Sequence, residues 1–535
     1  MRPKDGIWHI SREYGELAEA GGIKDVVTGL ALSLARSGHP VTVVLPRYGF
    51  IDLESLGAEK LPIRIALRLP SQNHASAMAL EEVEVHTLSR EGVRLFLLDS
   101  ARSRAKRAVY TYTEEDERAH PAQLRGSGHW DAHHLNLTLQ RGALELAHAL
   151  REKPSVFHCH DGHCAFLPAI MREVHPFKEH FQRTRALITI HNAGTGYHQE
   201  IHDPEFARQL TGLPAAVLSR GMLNGAVDPL LLGGFYAGLN TVSEGYAHEI
   251  MAGDLNGLTG GLGSAYREQG LLLEGITNGI DPLPFDPRFP EHSGLPFSFD
   301  PLSGELEGKG RCKEQLLESL SLPPARAFSA LNGLKRIGFL QPAAKEPLYA
   351  FVGRLTSQKG VDLLVQTLSD LLAQGTRARF LILGEGEKRI EESLADLSGE
   401  QRSAGRLVLL IGYNTRISKL VFAAGDFFLL PSLYEPCGLT DFYAQMMGSL
   451  PIAHRVGGLA KVRDGFNGYS YAEHSASSLT KAILRSLSDF RRRPALLRKM
   501  RRQAVEEIYA HYTWDKVLSQ HYLPLYRGED GRAGA

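Results

Sequence analysis

Residues 348–360 read LYAFVGRLTSQKG. Five apolar residues run without a polar break, then come Gly353, Arg354, a short polar turn and Lys359–Gly360. The amphipathic stretch VDLLVQTLSDLLAQ follows at 361–374. An apolar run with no alternation suits a strand buried on both faces, and the stretch after it has helical spacing. A strand, a turn and a helix make half of a βαβ unit. The same order recurs in HPVTVVLPRYG (39–49), VRLFLLDS (93–100), PSVFHCHDGH (154–163), RALITIHNAG (185–194), ARFLILGEGE (378–387), RLVLLIGY (406–413) and DFFLLPSLYEP (426–436). These strands fall into two sets, one ending near Asn240 and one running from Leu348 to Ile452. The proline-rich stretch 279–310 between them suits neither a strand nor a long helix. We read an α/β protein with two doubly wound, Rossmann-like domains, 1–282 and 283–505. A terminal helix at 506–535, anchored by the aromatics of YTWDKVLSQHYLPLY, packs back on the first domain.

The chain has 535 residues, long enough for at least two cores. Lys+Arg and Asp+Glu both number 60, a balance that argues against a nucleic-acid binder. The basic tract RSRAKRAVY (102–110) reads as a solvated loop. The four cysteines (Cys159, Cys164, Cys312, Cys437) contain no CxxC pair and point to a reducing compartment. The first residues lack the apolar core of a signal peptide, and no run is long enough to span a membrane. The expectation is a cytoplasmic protein with no membrane or nucleic-acid partner and an unspecified oligomeric state.

In open parallel sheets ligands bind beyond the carboxyl ends of the strands, and two such domains place the expected site in a deep cleft between them. Arg354 and Lys359 bring two cations to a helix N-terminus, which suits a diphosphate. Glu435 follows a buried strand and precedes Pro436, Gly438 and a helix opening near Thr440, so its carboxylate can face a sugar and a phosphate. Asp161, at the end of SVFHCHD, is better read as presenting its carboxylate to a polar ligand such as a sugar hydroxyl; a cap on the next helix competes strongly, and both can hold. His191 and Asn192 end another strand. A zinc site among His158, Cys159, His160 and Asp161 is disfavoured, since alternation sends Cys159 to the face opposite the two histidines. At 13–26, EYGELAEAGGIKDV, a Gly21–Gly22 pair invites an anion to the backbone although acids crowd it.

Taken together, HCHDGH, IHN, NTVSEGYA, GITNGID, GRLTSQKG and EPCGLT…GGLA resemble, in order, the bacterial glycogen synthase and plant starch synthase family. The resemblance runs from about Gly6 to about Tyr526 and is most specific in RLTSQKG and EPCGLT. It implies the two-domain GT-B fold and transfer of glucose, with retention, from ADP-glucose or UDP-glucose to glycogen or another α-1,4-glucan. The nucleotide sugar is then a substrate, and neither cofactor nor metal is implied. Arg354 and Lys359 match the family's diphosphate-binding cations, and Glu435 matches the acid near the transferred sugar. Cys437, Gly438, Leu439 and Thr440 with Gly457 and Gly458 line the donor side. Asp161, His191 and Asn278 match residues beside the glucose, and Glu13, Gly21, Gly22, Lys24 and Asp25 fall in the first glycine motif. Departures cluster there and in the last motif. Glu19 stands where the family has Lys, Leu433 where it commonly has Arg, Val456 where it has Thr, and Lys461 where it has Asp. Lys24 or Lys461 is expected to supply the cation missing at position 19. A transferase for a small sugar, lipid or protein acceptor, and a glucan- or nucleotide-binding protein with reduced turnover, are the other readings.

Overall fold

The computed structural model describes residues 6–71, 77–322 and 331–528. The chain divides into two units. One takes the residues up to Gly279 together with those from Trp514 onward, and the other is Ile280–Thr513.

The first unit is built on a nine-stranded sheet. Its strands are β1 (Ile7–Ile10), β2 (Val41–Pro46), β3 (Glu59–Pro70), β4 (Met78–Arg90), β5 (Val93–Ser100), β6 (Val156–His160), β7 (Arg185–Ile190), β8 (Gly238–Thr241) and β9 (Leu273–Gly275). The spatial order is β9-β8-β7-β6-β1-β2-β5-β4-β3. Pairing is parallel from β9 across to β5, as the continuous apolar runs predict. The β4 strand is antiparallel to both β3 and β5. This two-strand extension is absent from the sequence reading, which sought only continuous runs. IRIALRLP alternates instead, the period of a strand with one face in water.

The helix Ile23–Arg36 (α1) buries Val26, Val27, Leu30 and Leu34. Trp514, Val517, Tyr522 and Tyr526 lie in the same core. Gly29 permits this, because a Cβ there would fall 1.9 Å from the Trp514 ring.

The second unit has a seven-stranded sheet of β10 (Lys335–Gly338), β11 (Leu348–Val352), β12 (Arg379–Gly384), β13 (Leu407–Ile411), β14 (Phe427–Leu430), β15 (Leu450–His454) and β16 (Tyr469–Tyr471). Its order is β10-β13-β12-β11-β14-β15-β16, parallel apart from β10. Two buried apolar clusters include side chains from its strands. The proline-rich segment from Ile280 onward belongs to this unit and carries no more than single helical turns, Leu283–Phe285 and Pro290–Ser293, before the helix Glu307–Ser319 (α2) begins.

Both boundaries differ from the expected ones. The chain leaves the first unit after Gly279, not 282, and rejoins it at Trp514, not 506. The reason is local packing. Ile508 and Tyr512 bury against Phe442, Met446 and Ile280 of the second unit, and Ile280 N–H donates to Tyr512 O. Residues 529–535 of the expected terminal helix lie outside the described residues.

Candidate active site

In the second unit the decisive contact joins two strand ends. After β11 the chain turns through Gly353–Gly360 into the helix Val361–Ala373 (α3). Gly360, at φ +66°, lies so close to the next strand end that a Cβ would sit 1.9 Å from Pro431 O. That approach, with Leu433 N–H donating to Gln358 O, brings Lys359 to the turn after β14. Lys359 Nζ donates to Glu435 Oε2 at 2.6 Å, and Ser432 Oγ donates to the same oxygen at 2.9 Å. Burial raises the Glu435 pKa, but the Lys359 charge and these hydrogen bonds outweigh it and hold it below the ordinary value. Glu435 is thus a buried, ion-paired carboxylate and not the exposed one of a surface salt bridge. Arg354 is exposed and donates to Gln358 Oε1 at 3.2 Å.

The turn itself is interlocked with the Gly457–Gly458 segment. Gly438 takes φ +70°, and Gly458 N–H donates to Glu435 O at 2.8 Å. A Cβ on Gly458 would fall 2.0 Å from Cys437 O. Leu439 and Thr440 lead into the short helix Thr440–Met446 (α4).

In the first unit, Asp161 follows β6 in the strained conformation φ +59°, ψ −178°. It does not cap the next turn; its Oδ1 accepts from His191 N–H at 2.6 Å across to the end of β7. Burial pushes its pKa up to about 7 against the backbone N–H groups of His191 and Asn192. Asn278 is buried after β9, and its Oδ1 has no hydrogen-bond partner among the described residues.

A chain of imidazoles backs His191. Its Nε2 meets His160 Nδ1 at 3.0 Å, and His160 Nε2 meets His9 Nδ1 at 3.1 Å. Burial pushes His9 and His191 down to about 3 and His160 well below its ordinary value, so the rings are neutral. His9 Nε2 has no partner among the described residues. The tautomers that strand no buried N–H put every proton on Nδ1, leaving His191 Nδ1–H as the chain's terminal donor. His9, His158 and His160 cluster closely enough to suggest a metal. However, both nitrogens of His158 are engaged by Tyr526 and Thr189, and both of His160 by its neighbouring histidines. Only one ring nitrogen of the three remains to ligate, so the cluster does not fit a metal.

The Gly21–Gly22 loop corrects the expected reading. Glu13, after β1, turns its Oε2 onto the N–H groups of Ala20 and Gly21 at 3.2 and 2.8 Å, while Oε1 accepts from Tyr110 at 2.8 Å. The anion at Gly21 is therefore the protein's own carboxylate. Gly22, the N-terminal cap of α1, is open, with nothing within 4 Å of a Cβ built there. Lys24 is ion-paired with Glu19, so it neutralises that acid and adds no spare cation. Asp25, in the first turn of α1, has its pKa raised by burial, with Lys24 opposing. Lys461 is also committed, inward, to backbone carbonyls. Ser432, Tyr110 and His160 support these groups; the first two were not singled out in the sequence, and His160 was weighed there only as a disfavoured zinc ligand. Ser432 lies three residues before Glu435 and could have been found; the other two are brought in by tertiary pairing alone.

Comparison with known proteins places this geometry. Residues 6–264 match the model for the starch synthase catalytic domain, and residues 346–489 that for glycosyl transferases group 1. A glycogen synthase of Anaeromyxobacter dehalogenans is 30% identical over 97% of this chain and 99% of its own length. The chain belongs to the glycogen synthase family. The glycogen synthase of Aeromonas hydrophila is 28% identical over 96% of each chain. Starch synthase IV of Arabidopsis thaliana, solved with ADP and acarbose, shares the fold at a TM-score of 0.77 with 23% identity, covering 99% of this chain and all of that one. The GT-B fold and the hexosyltransferase class follow from the family. Among the glycogen synthase residues read from sequence, the structure joins Lys359 to Glu435, Asp161 to His191, and Glu13 to Gly21.

Proposed function

We propose that the chain transfers glucose from ADP-glucose to the non-reducing end of an α-1,4-glucan with retention, needing neither metal nor organic cofactor. The Lys359–Glu435 pair carries the reading. It sets a cation for the leaving diphosphate beside a carboxylate for the sugar, at adjoining strand ends of one sheet. Breaking a glycosyl–phosphate bond builds negative charge on the departing diphosphate, and preorganised cations and N–H groups stabilise that charge most strongly where water is excluded. Lys359, Arg354 and the N–H groups of the 437–439 turn are the groups assigned to it. Asp161, His191 and Asn278 are assigned to the sugar hydroxyls. Retention then proceeds on one face, the leaving phosphate assisting the acceptor hydroxyl, with no enzyme nucleophile. ADP is favoured as the nucleotide because the Arabidopsis starch synthase was solved with it.

The test is incorporation of labelled glucose into glycogen from ADP-glucose and from UDP-glucose, followed by digestion to establish the linkage. Elongation through α-1,4 bonds, faster with ADP-glucose, is expected. No polymer label from either donor would overturn the reading, and transfer to a small acceptor alone would replace it.

A further inference from the structure

Lys461 follows the Gly457–Gly458 segment, and its side chain is only 7% exposed. Its ammonium donates to Cys437 O at 2.5 Å, Gly438 O at 2.6 Å and Gly458 O at 3.0 Å. It stands 3.3 Å from the fully buried Asp441 and 4.5 Å from the Phe442 ring centroid. Beside its ion pair with Asp441, three of its bonds go to main chain, two of them to the turn between Glu435 and α4. A peptide unit is planar, with C=O and N–H on opposite edges. An ammonium held against the Cys437 and Gly438 carbonyls consequently turns the Gly438 and Leu439 N–H groups the other way. It also polarises the two units, which strengthens those N–H groups as donors. The bond to Gly458 O ties both planes to the second glycine segment, where Gly458 already lies against Cys437.

We propose that Lys461 is a positioning residue that sets the Gly438 and Leu439 N–H groups on the donor's diphosphate. The inference rests on the function proposed above. It gives Lys461 a part in donor affinity without contact with the donor, and so accounts for a cation at this place that faces inward. Asp441, 3.3 Å away, offsets part of its charge, and what remains helps Lys359 hold the Glu435 pKa below its ordinary value.

The experiment compares the parent enzyme with Lys461→Met, the double variant Lys461→Met/Asp441→Asn, and Lys461→Arg. The double variant removes the charge that the single change would strand in the interior, and thermal unfolding identifies the variants that fold. Calorimetric ADP affinity, KM for the donor and for glycogen, and thermal unfolding are measured on each. Losing the alignment of an N–H bond to a charged group weakens ADP binding and raises donor KM about tenfold or more. KM for glycogen should stay within about twofold, and the arginine variant should recover part of the loss. ADP affinity unchanged in the folded double variant overturns the proposal. So does a parallel loss of donor and glycogen affinity that tracks the melting temperature, the mark of a packing role. If the parent binds ADP but elongates nothing, the proposed function fails while the calorimetry still decides on Lys461.

Discussion

Asp161 combines two unfavourable states. Its backbone lies where side chains rarely go, and its carboxyl is buried with Oδ2 unpartnered among the described residues. Strain of this kind persists where the surroundings over-determine it, and it gathers at functional sites. The pKa, raised from 3.8 to about 7, also has a thermodynamic consequence. Between those values the folded protein holds a proton that the unfolded chain has released. Stability therefore falls as pH rises through that window, by at most about 1.4 kcal/mol per unit. Asp161→Asn should flatten the dependence of thermal stability on pH between 4 and 7 and leave it elsewhere as it was. A variant with the parent's slope would show that Asp161 is ionised throughout. The sequence placed this carboxyl at a strand end but left its role open between a cap and a ligand. The His191 N–H bond that settles the cap question comes from a neighbouring strand, 30 residues away in the chain.

At the scale of elements, two glycines make contrasting predictions. Gly360 is required by the fold, since positive φ and the Pro431 carbonyl leave no room for a Cβ. Gly360→Ala should separate the Lys359 turn from Glu435, lowering both stability and turnover. Gly22 caps α1 at φ −77° with open space around it. Gly22→Ala should leave the melting temperature unchanged or raise it, by up to about 1 kcal/mol in stability, while donor KM increases. An unchanged KM would show that the glycine is not there for a ligand. The parallel strands were legible because burial on both faces writes an unbroken apolar run. The β3–β4 extension was not, because one face of β3 meets water and its apolar residues alternate with polar ones. Glu13 on the Gly21 N–H was beyond reach for a different reason. Sequence shows an acid near a glycine pair, but only the fold of 13–21 decides that the acid fills it.

For the whole molecule, the division of the chain governs how it comes apart. The unit Ile280–Thr513 is continuous, with its own sheet and clusters. The other unit is discontinuous, and Trp514, Val517, Leu518, Tyr522, Leu525 and Tyr526 complete its core. A chain ending at Thr513 should keep a cooperative calorimetric transition for the continuous unit and lose the one for the first unit. Retention of both transitions would show that the returning segment is dispensable. His158 Nδ1 also loses its Tyr526 partner in that chain, so disorder should reach the imidazoles behind His191. The same return has a bearing on synthesis. At ~5–20 residues per second, a ribosome needs tens of seconds to make the residues between Gly279 and Trp514. The segment translated first therefore waits, its apolar helix face α1 uncovered, until the segment that seals it is made. The later-born unit can be finished before the earlier one, and a chaperone that shields α1 during that interval would act where the nascent chain is most exposed.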